Sequence, residues 1–370
     1  MTTASPGGPR LRRRGLLTVA ALATLPAACG HQSAAAPALP AAPAPSPAAV
    51  RSPAVVAVGS PAAVGSPAAT VNAGAAAAYA APPTESAATT AKLGGPVPFR
   101  PGRARIGAYL SLSGHSLSQS LALRRRQLGR DYGIVHIFCA WNEQVERPPI
   151  GDSTLMISWT GIRYAMINNG SNDRVIAAAA RNLAAQRKPT LLRWAWEMNG
   201  DWFAWGGTHN GHDTAAFIRA WRRMHGIFRA AGADNVAWVW SPNWNSGPNV
   251  GWNQMQRYYP GDAYVDWVGV SGYDFDSETP ERLFTPVVST YGARKPIIIS
   301  ETASIEHAGA STANWTGDLA AYVRRTPQIG ALCWFDTDTQ SDSAYNFRID
   351  SSGAELAAFR AMARSSRFAA

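Results

Sequence analysis

Leu191-Leu192-Arg193-Trp194-Ala195-Trp196-Glu197-Met198-Asn199-Gly200 is an apolar run that closes on a carboxylate and then opens into a polar, glycine-containing loop. It forms the end of a strand-like segment at 189–196, and seven comparable runs lie at 105–110, 134–141, 154–159, 236–240, 265–270, 296–300 and 329–334. Runs this short and this continuously apolar read as strands buried on both faces, as in a parallel sheet. Helical patterns separate most of them, the clearest at 173–186, 213–231, 281–291, 314–325 and 354–364. Only the second link, 142–152, is too rich in proline for a proper helix. Strand-then-helix order, repeated over the roughly 250 residues such a domain needs, predicts an α/β chain folded as a (β/α)8 TIM barrel over 99–370.

In that fold chemistry sits where strands end and loops begin, so polar residues just after apolar runs carry the functional reading. Two glutamates stand there: Glu197 closes the fourth run, and Glu301 closes the seventh in Pro296-Ile297-Ile298-Ile299-Ser300-Glu301. A carboxylate so placed loses hydration and becomes a candidate for a shifted pKa. The structural alternative for either one alone is a buried glutamate paired with an arginine, Arg193 being available. Arg193 shares strand parity with Glu197 and should point into the barrel, either holding the carboxylates in register or contacting substrate. His136 reads as a satisfied strand residue and not as a base.

The chain carries 14 Trp against 16% charged residues. Tryptophan at that density fills a large core, forms stacking platforms, or both. Trp202 and Trp205, after the fourth run, and Trp141, ending the second, are the candidate platforms; Trp194, Trp221, Trp240 and Trp267 fall inside elements and read as core. The net charge of +10 includes an N-terminal arginine cluster, and no later run of basic residues interleaves with aromatics, so nucleic acid is not an expected partner. Arg124-Arg125-Arg126 reads as the solvated face of a helix. Cys139 and Cys333 lie on separate strand-like runs and read as buried thiols, with pairing left open; no cysteine or histidine spacing suggests a metal, and no cofactor is expected.

The first 29 residues have the order of an export signal: Arg10, Arg12, Arg13 and Arg14, then an uncharged apolar run to Ala28. Arg13-Arg14-Gly15-Leu16-Leu17 resembles a twin-arginine signal. The run ends at Pro26-Ala27-Ala28-Cys29, where small residues suit either lipidation of Cys29 or release after ordinary cleavage. Residues 30–98 are dominated by Ala, Pro, Ser and Gly and contain a repeat, Val58-Gly59-Ser60-Pro61-Ala62-Ala63 followed by Val64-Gly65-Ser66-Pro67-Ala68-Ala69. Such a segment buries too little to offset its ordering entropy, and it reads as a disordered spacer. The expectation is an exported monomeric enzyme, extracellular or anchored at the outer face of the cell membrane by that lipid alone.

Arg193-Trp194-Ala195-Trp196-Glu197-Met198-Asn199-Gly200-Asp201-Trp202-Phe203-Ala204-Trp205-Gly206 resembles the acid/base segment of glycoside hydrolase family 26, which includes β-mannanases and enzymes acting on other β-glycans. Trp238-Val239-Trp240-Ser241-Pro242 with Asn243 is similar to the family's fifth-strand segment, 259–269 with Tyr273 to its sixth, and Ser300-Glu301 to its nucleophile segment. The resemblance implies Glu197 as acid/base, Glu301 as nucleophile and Tyr273 orienting the nucleophile. It implies Trp334 as a floor under the sugar, with Asn199, Trp202, Arg193 and Trp141 completing a substrate-binding set. Two carboxyls about 5 to 5.5 Å apart give a covalent, retaining route. The expected substrate is an endo-cleaved β-1,4-mannan, the alternatives being mixed-linkage β-glucan or β-xylan, or a non-catalytic carbohydrate-binding barrel. One departure is chemical: mannanases commonly carry histidine immediately before the acid/base, and here the residue is Trp196, which replaces a polar contact by bulk and redirects choice among sugar epimers.

Overall fold

A computed structural model describes residues 93–307, 311–339 and 345–368. The export signal, Cys29 and the spacer up to residue 92 lie outside the described residues. Eight parallel strands close into a barrel in chain order: β1 (Arg105–Ser111), β2 (Ile134–Cys139), β3 (Thr154–Trp159), β4 (Thr190–Trp194), β5 (Val236–Trp240), β6 (Trp267–Ser271), β7 (Ile297–Thr302) and β8 (Ile329–Thr337). Each coincides with one of the eight apolar runs. Around them lie α1 (Leu117–Leu128), α2 (Tyr164–Asn168), α3 (Asp173–Gln186), α4 (Thr214–Ala230), α5 (Pro280–Tyr291), α6 (Thr312–Arg325) and α7 (Gly353–Arg364). Capping is written in the sequence: Ser116, Asp213, Thr279, Ser311 and Ser352 each accept a backbone N–H from the first turn of α1, α4, α5, α6 and α7.

The link from β2 to β3 carries no helix, as its prolines dictate. The link from β5 to β6 also departs from strand-then-helix order, with only the single-turn 3₁₀ segments Gly251–Asn253, Met255–Tyr258 and Asp262–Tyr264. Pro242, Gly247, Pro248, Gly251, Pro260 and Gly261 break any longer helix there.

Along the barrel axis the interior changes character. The lower layers are apolar, built from Ile134, Met156, Leu191, Ala237, Val239, Trp267, Ile298, Ala331 and Cys333. Above them His136, Ser158, Arg193, Ser241, Ser271 and Ser300 form a buried polar layer. Cys139 and Cys333 are buried thiols, the Cys139 sulfur donating to the Ala140 carbonyl at 3.6 Å.

The floor of the barrel uses residues that the sequence reading gave to the spacer. Val97 is buried against the lower layers, and the Trp267 indole N–H donates to the carbonyls of Gly94 and Val97, both at 3.0 Å. The packed body therefore includes residues from Gly94 on, five before the expected boundary at 99. A side chain at Gly330 would lie 2.6 Å from Phe99 and 2.7 Å from Trp267, so this plug fits only above a glycine.

Arg124 corrects another expectation. Arg125 and Arg126 face solvent, but Arg124 is fully buried, its guanidinium paired in a fork with Asp336 at 2.7 Å on each arm and with Asp350 at 2.7 Å. Asp336 comes from β8, whose outward face a reading of α1 alone does not supply.

Candidate active site

Glu197 stands at the end of β4 in a sharply wound turn. Ala195 and Glu197 hold φ of 46° and 55°, in the left-handed region that costs a non-glycine residue of order 1 kcal/mol or more. Hydrogen bonds fasten the turn: Glu197 N donates to Ser241 O at 2.8 Å and Gly200 N to Glu197 O at 2.9 Å. The side chain is 1% exposed and accepts the Trp202 indole N–H on Oε2 at 2.8 Å.

Glu301 is aimed by a bulge. The β6–β7 register pairs Val270 with Ile299 and then Ser271 with Glu301, leaving Ser300 as the extra residue. Its carboxylate receives the Arg193 guanidinium at 2.6 Å on Oε2 and the Tyr273 hydroxyl at 2.5 Å on Oε1. Arg193 is held from below by Ser158 and Ser241, each at 3.0 Å, and donates also to Ser271. Four strands, and the residue that follows β5, thus contribute to one guanidinium and its carboxylate.

The two carboxyls belong to one electrostatic unit. Burial pushes Glu197 up to about 7, and the charge of Glu301 adds to the rise, while Arg193, Ser271 and Trp202 oppose it. Burial, reinforced by both glutamates, raises the Tyr273 hydroxyl well above its ordinary value, so it remains a donor to Glu301. Burial and the neighbouring Arg193 hold His136 neutral, with Nε2 2.7 Å from Ser158 Oγ. One carboxyl able to hold a proton near neutrality faces another saturated by a guanidinium and a phenol, a division suited to an acid and a nucleophile.

The remaining site residues divide. Arg193, Trp202 and Tyr273 converge on the carboxyls. Asn199 is engaged within the protein: it is buried, with Oδ1 accepting Asn243 N and Nδ2 donating to Asn243 O, Asn245 O and Ser246 Oγ, so it ties the β4 loop to the β5 loop. Trp141 is no platform either, being stacked on Trp159 at 4.5 Å and bonded to Asn172. Trp205 packs in the core on Phe203 at 4.4 Å and donates to Trp196 O. Trp334 points the wrong way for a sugar floor: strand parity turns it outward, edge-on to Trp315 and Phe359, with its N–H on Phe347 O.

The aromatic at that end of β8 that faces inward is Phe335. It stacks on Tyr109 at 5.0 Å and meets Phe138 and Tyr273 edge-on. Trp196, 1% exposed, packs on Phe138, Phe203 and Trp205 with Arg193 over its ring at 5.5 Å. Alternation along β8, counted from inward Cys333, was the signal available for Phe335. No group of three or more His, Cys, Asp or Glu with metal-binding geometry occurs among the described residues.

The (β/α)8 barrel thus carries neighbouring glutamates at the ends of its fourth and seventh strands, braced by an arginine and a tyrosine. Residues 152–321 match the model of glycosyl hydrolase family 26, the same family that the sequence segments resemble. It is 32% identical to endoglucanase H of Acetivibrio thermocellus over 279 residues, 69% of this chain and 30% of that one. It is 28% identical to the mannan endo-1,4-beta-mannosidase of Bacillus subtilis strain 168 over 171 residues, 44% of this chain and 43% of that one. The chain therefore spans less than half the length of these relatives. The family 26 β-mannanase of Bacteroides ovatus shares its fold at a TM-score of 0.55 and 17% identity, over 72% of this chain and 90% of that one.

Proposed function

We propose that the chain is a retaining glycoside hydrolase acting on a β-linked polysaccharide, with Glu301 as nucleophile and Glu197 as acid/base. The observation that carries this reading is the coupled pair itself: Glu197 pushed up to about 7 beside a Glu301 bound by Arg193 and Tyr273. Glu301 attacks the anomeric carbon as the glycosidic bond breaks, and Glu197 gives its proton to the departing oxygen. The glycosyl ester then removes the charge from Glu301, the pKa of Glu197 falls, and it takes a proton from the water that frees the sugar. Trp202 holds the Glu197 carboxyl in place and favours its ionised form for the second step.

Mannan is the first substrate in this reading, supported by the mannosidase relative and by the family. Glucan is the second, favoured by one observation: the relative aligned over 279 residues is named an endoglucanase. The export signal read at 1–29 supports an extracellular place of action, where such polymers are met.

The test is a panel of soluble mannan, mixed-linkage β-glucan and β-xylan, assayed with the wild-type chain and Glu301→Ala. Release of reducing ends from at least one polymer by the wild type, lost in the variant, is the expected result. Equal release by both sinks the assignment.

A further inference from the structure

Four large apolar or aromatic side chains stand most exposed among the described residues: Leu93, Met166, Val250 and Tyr345. Tyr345 alone of these is aromatic, 39% exposed, and it begins a series of rings that leads inward to the carboxyls. Its ring lies 5.3 Å from that of half-buried Phe275, Phe275 stacks on Tyr273 at 5.5 Å and 25°, and the Tyr273 hydroxyl binds Glu301. Phe347 backs both outer rings, 5.9 Å from Tyr345 and 6.1 Å from Phe275.

The mount of Phe275 is fixed. Glu278 Oε2 accepts the backbone N–H of Phe275 at 3.0 Å and of Asp276 at 2.9 Å, while Glu278 N donates to Asp274 Oδ1 at 3.0 Å. Asp274, itself buried, accepts Ser304 Oγ at 2.8 Å and so ties the turn to the strand end after Glu301. A half-wet ring on a braced turn contributes less to folding than the same ring buried, yet its position is set as firmly as that of a core residue. Such a ring offers an apolar face to the C–H face of a sugar, with the exposed Asp276 alongside for hydroxyls.

We propose that Phe275 and Tyr345 form a sugar-binding subsite that grips the glycan beyond the sugar undergoing cleavage. This rests on the reading of the site as a β-glycan hydrolase, and it makes chain length a determinant of affinity: each step along the rings engages a further sugar of the same polymer.

The test is calorimetric binding of manno- and cello-oligosaccharides, disaccharide to hexasaccharide, to the full chain carrying Glu301→Gln so that no turnover occurs. In that background affinity should rise with length. Adding Tyr345→Ala, at an exposed position that leaves the core intact, should weaken the hexasaccharide about three- to tenfold and flatten the dependence on length. Phe275→Leu, which keeps most of the volume, should do the same. Unchanged hexasaccharide affinity in both variants overturns the proposal, as does a background whose affinity is independent of length. Failure of the hydrolase reading is seen separately, as retention of hydrolysis by Glu301→Ala, and leaves the binding series interpretable.

Discussion

Glu197 and Glu355 are both carboxyls sealed inside the protein, and burial pushes both up to about 7. Glu197 ends β4 at the rim of the barrel; Glu355 lies in the first turn of α7, 0% exposed, where Oε1 accepts Thr316 of α6 at 2.9 Å. The charges that act on Glu355 are those of Glu306 and Asp336, and both push its pKa up. Asp336, like Glu301, is itself held by an arginine, so the difference lies elsewhere: Glu197 stands at the strand ends, takes the Trp202 indole N–H, and has a partner bound by Tyr273 as well as Arg193. A shifted pKa therefore reports burial; a place at the strand ends beside a second carboxyl is what separates Glu197 from Glu355.

The largest effect that separates the two regions is loss of turnover. Glu301→Ala and Glu197→Ala should each lower kcat/KM on the responsive glycan by about a thousandfold or more, with little change in melting temperature, because neither residue belongs to the layers that hold the barrel. Glu355→Gln should keep kcat/KM within about twofold. Equal damage from all three would erase the distinction.

A smaller effect lies in the pH profile. With Glu197 at about 7, kcat/KM should fall as pH rises through that value, since the general acid is then ionised. Trp202 donates to the carboxylate and so lowers this pKa; Trp202→Phe should move the alkaline limb to higher pH, by up to about one unit. An unmoved limb would remove Trp202 from the acid's control.

The smallest effect is thermodynamic. The folded-state pKa of Glu355 lies above the ordinary 4.5, so the native state binds more protons between about 4.5 and 7 than the unfolded state does. Stability from this group is complete below the lower value and is lost as pH rises through the upper one, with a slope of at most about 1.4 kcal/mol per pH unit. Glutamine keeps an acceptor for Thr316 and cannot ionise, so Glu355→Gln should flatten urea-derived stability across that window while leaving the activity profile where it was.

The strands and the two glutamates were legible because both depend on local pattern: a run buried on two faces is apolar throughout, and a charge at its end is conspicuous. Arg193 was legible through parity with Glu197. Trp334 and Trp141 were misread because indole serves core and sugar alike, and only the direction of the side chain decides; for Trp334, parity on β8 turns it to α6 and α7 and gives Phe335 the inward place. Asn199 sits in the right segment, but its amide is used up by the β5 loop, a partner far away in sequence. The plug at 94–98 lay hidden in a stretch of Gly and Pro, because its worth comes from the Trp267 N–H that it receives across 170 residues or more. The left-handed turn at Ala195 and Glu197 has no signal in those residue types at all.

The central claim, that Glu301 is the nucleophile and Glu197 the acid/base, is met most directly by the anomer formed when azide rescues the two alanine variants on an aryl β-glycoside with a good leaving group. In Glu301→Ala azide takes the place of the missing carboxylate and attacks once, so the account requires the α-glycosyl azide, read by proton NMR. In Glu197→Ala the glycosyl-enzyme still forms on Glu301 and azide opens it from the other face, giving the β-glycosyl azide. The same anomer from both variants, or the two reversed, would contradict the assignment.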